Sequence, residues 1–82
     1  MPKEYQFSSL DMLSTGKKGK IIDIQGGFGV KQRLYEIGLT PNSEIYVVEN
    51  RGTGPILISC KGVVIALGRG VARKIIVEVN DR

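Results

Sequence analysis

Apolar residues along this chain alternate with polar ones in several short runs, and they take helical spacing in one stretch only. Val30, Leu34 and Ile37 stand at i, i+4 and i+7, the signature of one helix face. Gly38 supplies a left-handed residue that ends the helix, Leu39 can fold back on Leu34, and Pro41 prevents continuation. Gly26, Gly27 and Gly29 let the chain leave the preceding strand and enter this helix. Elsewhere the pattern predicts strands. Residues 20–25 form the first, with Ile22 and Ile24 inward and Asp23 and Gln25 outward. The second is 44–49, after a tight Thr40-Pro41-Asn42-Ser43 turn. The third and fourth, 56–60 and 63–67, are separated only by Lys61-Gly62 and so form a hairpin. Residues 68–72 are a turn or one 3-10 turn, and 74–79 is the last strand, with Ile75, Val77 and Val79 inward. Ahead of the first strand, Leu10 and Leu13 can share one side of a single helical turn behind a serine cap.

Five closely spaced strands would protect their edges by curling up. The helix falls between the first and second strands, not between the third and fourth as in an OB-fold. The expected architecture is therefore all-β: a small SH3-like five-stranded barrel with a short inserted helix. Residues 1–7 are expected to be a flexible arm and 8–82 one domain. An unpaired strand would let two copies join edge to edge.

The order of residues across 8–79 is similar to the FeoA domain. It runs through Leu10-x-x-Leu13, Gly16 to Ile24, Gly-Gly-x-Gly, Arg33-Leu34-x-Glu36-x-Gly38-Leu39-x-Pro41, Ile45-x-Val47-Val48 and Gly54-Pro55-Ile56. Gly62, Ile65-Ala66-Leu67, Ala72 and Ile76-x-Val complete it. Asn42 stands where that family usually has glycine. The resemblance implies an SH3-like barrel acting as a small cytoplasmic accessory of FeoB, a membrane ferrous-iron transporter with a cytosolic GTP-binding domain. The same domain closes metal-dependent repressors of the DtxR type. Too few residues precede the first strand here for a helix-turn-helix, so the free-standing form is expected and DNA binding is not.

Composition narrows the chemistry. An 82-residue chain with 41% hydrophobic residues can bury one core, worth about 3–5 kcal/mol net. There is no histidine, and the single cysteine, Cys60, shares a strand face with Ile56 and Ile58. It reads as a buried thiol in a reducing compartment. Asp23, Glu44, Glu49 and Glu78 are scattered carboxylates without metal-ligand spacing, so neither a metal nor another cofactor is expected. No nucleophile has an adjacent base, so the chain is not expected to be an enzyme. No run is long and apolar enough to span a membrane, and the N-terminus lacks the apolar core of a signal peptide.

Function must then lie in binding. The glycine turn before the helix lacks Walker spacing, though its amides beside Lys31 and Arg33 could hold an anion. Both cations are placed by this reading at the positive end of the helix dipole. Phe28 either anchors a partner or folds down as a staple for the helix, and Tyr35 lies off the apolar face. The candidate contact surface is Phe28, Lys31, Gln32, Arg33 and Tyr35, with Arg51 from the 50–55 loop. A net charge of +4 would also suit an anionic membrane face beside the transporter. A second reading starts from Gly16-Lys17-Lys18-Gly19-Lys20-Ile21-Ile22, which resembles a KOW element of RNA- and ribosome-binding barrels. With 6% aromatic residues and no tryptophan, neither base stacking nor a polyproline groove is evident.

Overall fold

The computed structural model describes residues 6–80. It contains six strands: β1 (Gln6–Ser9), β2 (Lys18–Ile24), β3 (Glu44–Glu49), β4 (Ile56–Cys60), β5 (Val63–Leu67) and β6 (Ile75–Asn80). Two helices, α1 (Phe28–Glu36) and α2 (Arg69–Ala72), and a 3-10 turn at Leu10–Met12 complete it. All pairings are antiparallel, in the order β1-β6-β2-β3-β4-β5.

This corrects the expected five-stranded SH3-like barrel. The sheet has six strands and does not close, because β1 and β5 each have one neighbour. The extra strand begins inside the stretch expected to be an arm, whose residues 1–5 lie outside the described residues. The reason the sheet stays open is where the core comes from. β1 is short, its one apolar residue, Phe7, is exposed, and it contributes no core residue. Leu10 and Leu13 around the 3-10 turn, Leu34 of α1, Leu39 and Ala72 of α2 join the strand residues in the core instead. Non-strand segments thus supply the cover that a closing strand would have given.

β2, the strand expected to come first, also departs from simple alternation. Ile21 lies opposite Val77 and Asp23 opposite Ile76, so Ile22 is an extra residue at a bulge. The bulge turns Ile21 and Ile24 into the core and leaves Ile22 partly exposed, where alternation had placed Ile22 inward. In the helix, Leu34 is buried and Val30 packs against the core, but Ile37 is 49% exposed. α1 ends at Glu36, and the chain has begun to turn away by Ile37.

The C-terminal end of α1 closes as expected. Gly38 has φ 97°, and the Leu39 N–H donates to the Leu34 carbonyl at 2.9 Å. In the following turn Asn42 takes φ 78°, and the Ser43 N–H donates to the Thr40 carbonyl at 3.0 Å. β3, β4 and β5 match their expected bounds. Ile56, Ile58 and Cys60 are all buried on one face of β4. Residues 68–72, expected to be at most one 3-10 turn, instead contain the four-residue α2.

The β4–β5 hairpin carries Lys61 at φ 53° and Gly62 at φ 82°, a type I′ turn. Lysine has no side-chain acceptor to support the left-handed conformation, whereas asparagine suits it. Lys61→Asn is expected to stabilise the protein by about 0.5–1 kcal/mol, raising the melting temperature by roughly 4 °C. A thermal melt checks this, and an unchanged or lowered midpoint contradicts it.

Candidate functional site

Entry into α1 depends on Gly26. Its φ of 113° is closed to side chains, and an added Cβ would lie 3.3 Å from Lys74 Cδ. Just before it, the Gln25 N–H donates to the Lys74 carbonyl at 2.7 Å, tying the turn to the start of β6. Gly27 caps the helix without a side-chain hydrogen bond, and the first turn carries no acidic residue. The first side chain of the helix, Phe28, is 80% exposed. It does not fold down as a staple.

Helical spacing gathers Phe28, Lys31, Gln32 and Tyr35 on one stripe, since they stand three, four and seven residues apart. Tyr35 is 45% exposed. The Gln32 side-chain amide donates to the Glu36 carboxylate at 3.5 Å along the same helix. Arg33, two residues from Lys31, falls roughly 160° away around the helix, on the opposite flank. It falls in the last turn, where a cation suits the dipole, so only Lys31 remains near the positive end. The stripe is an aromatic pair framing a lysine and an amide, with Arg33 on the other flank of the helix.

Arg51 lies elsewhere. Its guanidinium pairs with Glu49, and it lines an open cleft with Asp11, Met12, Leu13, Ser14, Asn50, Gly52 and Arg69, none of them from α1. At the base of this cleft is a polar junction not anticipated from the sequence. Asn50 Nδ2 donates to the carbonyls of Asp11 (3.0 Å) and Leu13 (2.7 Å). Its Oδ1 accepts from the Gly52 N–H (2.9 Å) and from Arg69 Nη2 (2.8 Å). Arg69 Nη1 also donates to the Asp11 carbonyl at 3.3 Å, and the Asp11 carboxylate lies 3.7 Å from Arg73 Nε. The 3-10 turn, the β3–β4 loop and α2 are pinned together there.

The lysine-rich start of β2 is partly opposed by carboxylates. Lys20 is in register with Glu44 on one side and Glu78 on the other. Lys18 is opposite Tyr46, and Gly19 is buried between the strands. Among the described residues, no three His, Cys, Asp or Glu side chains assemble as a metal site. No helix of the described residues is long and apolar enough to cross a membrane.

The FeoA domain model matches residues 8–79. The chain belongs to the FeoA-domain family. A Methanocaldococcus jannaschii protein named, provisionally, Fe(2+) transport protein A is 42% identical over 69 residues, covering 80% of this chain and 83% of that one. The crystal structure of an iron uptake regulatory protein, FeoA, superposes with a TM-score of 0.87 at 37% identity, covering 92% of this chain and all of its own. A manganese-dependent transcriptional repressor superposes with a TM-score of 0.85 at 20% identity. It covers 95% of this chain, which spans 44% of the repressor, and the likeness is one of fold. The same fold thus occurs within a longer chain.

Proposed function

We propose that this FeoA-domain protein is a non-enzymatic accessory of ferrous iron transport. In this reading it works in the cytoplasm at the inner membrane face, docking on the cytosolic part of a FeoB-type transporter through the exposed stripe of α1. Family membership supports the accessory role, as do the transport and uptake names of its relatives. The observation that carries the docking surface is Phe28. A phenyl ring 80% exposed at the tip of a helix, beside Lys31, Gln32 and Tyr35, stays wet in the free protein and becomes dry under a partner. Arg33, on the opposite flank of α1, adds longer-range charge, which speeds encounter more than it holds the complex. Arg51, paired with Glu49 on the cleft side, falls outside this surface.

A titration against the soluble cytosolic domain of FeoB tests the proposal. Phe28→Ala is expected to weaken binding about tenfold or more, as is the double change Lys31→Glu with Arg33→Glu. Neither should shift the melting temperature by more than about 2 °C, because all three side chains lie outside the core. Unchanged affinity in both variants removes α1 as the docking surface.

A further inference from the structure

The β4–β5 hairpin ends in a tip that is apolar on both sides. Val63 lies opposite the buried Cys60, so its side chain is on the core face, and Val64 follows on the outer face. Both are nevertheless open to solvent, at 57% and 60%, and neither belongs to the core. The end of the hairpin therefore projects past the core from which it grows. From Ile56 to Leu67 there is one charged residue, Lys61, at the tip itself, and no carboxylate.

Charge around the tip is one-sided. Lys20 and the acidic residue at the start of β3, Glu44, are in register with each other, and Glu78 flanks Lys20 on its other side. Lys18 has no such partner in register, only Tyr46 and Asn80. The same row continues across the sheet, Tyr46 facing Ser59 and Ser59 facing Val64. A half-exposed tyrosine and a lysine without a carboxylate in register thus stand on the outer face in line with Val64. Lys61 itself is held at φ 53°, a left-handed conformation that asparagine adopts at less cost. A residue placed where local preference argues against it points to a use for its side chain.

We infer that the tip of this hairpin seats in the headgroup layer of an anionic membrane. Val63 and Val64 point to opposite faces of one strand, so a rigid protein surface laid against the tip covers one of them, whereas a fluid lipid surface closes round both. Their methyl groups reach the acyl boundary. Lys61 runs its stem beside them and leaves its ammonium among the phosphates, with Tyr46 and Lys18 meeting headgroups behind it. Insertion is shallow. β5 is an edge strand, and its Val64 and Ala66 amides point away from β4, so they need water or phosphate oxygens as acceptors. The inference rests on the placement at the inner membrane face proposed above, and it uses no residue of the α1 stripe.

Co-sedimentation of the full chain with phosphatidylcholine vesicles, with and without about 30% phosphatidylglycerol, tests this in the absence of FeoB. The expected result is weak, reversible binding to the anionic vesicles that is lost in about 0.5 M salt. Nitroxide-labelled lipid should broaden the amide resonances of residues 61–66 and spare those of 28–35. Val64→Asp is expected to weaken binding at least about tenfold, and Lys61→Asn about fivefold. Lys61→Asn is the sharper of the two, because it should raise the melting temperature while lowering lipid binding, which a purely structural role does not do. Absence of binding to anionic vesicles overturns the inference, as does equal binding to neutral ones or broadening centred on another surface. Perturbation of the tip only on adding the FeoB cytosolic domain also overturns it, assigning the tip to a protein. The FeoB titration reads α1 separately, so the docking proposal stands or falls by its own result.

Discussion

Alanine at position 19 is expected to destabilise the protein by about 3 kcal/mol, most of the net stability of a domain this small. Gly19 is buried in β2, in register with Ile45 of β3 and Val79 of β6. An added Cβ would be 2.9 Å from the Glu78 carbonyl oxygen and closer still to Val77 Cγ1. The carbonyl belongs to the sheet ladder and cannot swing aside. Val77 is β-branched and fully buried, so its rotamer has nowhere to go. β2 and β6 must part, and these two strands join the β1 edge to the rest of the sheet. A urea titration should show the midpoint falling steeply with little change in slope. Combining Gly19→Ala with Val77→Ala should recover part of the loss, a coupling that the single changes do not predict. A midpoint within experimental error of the parent would sink this account.

Asn50→Ala is expected to cost a similar amount, about 3 kcal/mol, through a different mechanism. The change removes both donations from Nδ2 and both bonds accepted by Oδ1. It strips the Leu13 carbonyl of its Asn50 donor and leaves the Arg69 guanidinium without its shortest bond. Asn50→Asp would keep an acceptor for Arg69 but set a carboxylate oxygen against the Asp11 and Leu13 carbonyls, so it should recover little. The readout is again the unfolding midpoint, with hydrogen exchange in 10–16 and 50–52 accelerating before the rest. Uniform exchange with an unchanged midpoint would show that the junction holds nothing together.

Much of this fold is written locally. The hairpin at Lys61-Gly62, the helix stop at Gly38 and the turn through Asn42 each rest on residues adjacent in sequence, and each has the expected backbone geometry. What was not legible depends on distant partners. β1 has no apolar alternation of its own and is a strand because β6 lies beside it. Ile21 and not Ile22 faces the core because a bulge against β6 shifts the pairing, which no local pattern encodes. Closure was inferred from strand count, whereas the core is completed by leucines from turns and helices. Of the candidate site, helical spacing alone places Phe28, Lys31, Gln32 and Tyr35 together. The exposure of Phe28 and the separate place of Arg51 needed the structure. The Asn50 junction left no trace because Asp11, Asn50 and Arg69 are far apart along the chain and individually ordinary.

The strand order has a consequence for how this chain comes into being. β6, last to be synthesised among the described strands, lies between β1 and β2, which do not pair with each other. Until Asn80 has cleared the ribosome, β1 has no partner and β2 has only β3. The hairpins can form as they emerge, but the domain closes around its final strand. A ribosome paused shortly before that point would hold an unfinished sheet with the flanks of β1 and β2 that β6 will occupy both exposed, a state in which chaperone capture or pairing with the wrong strand competes with folding.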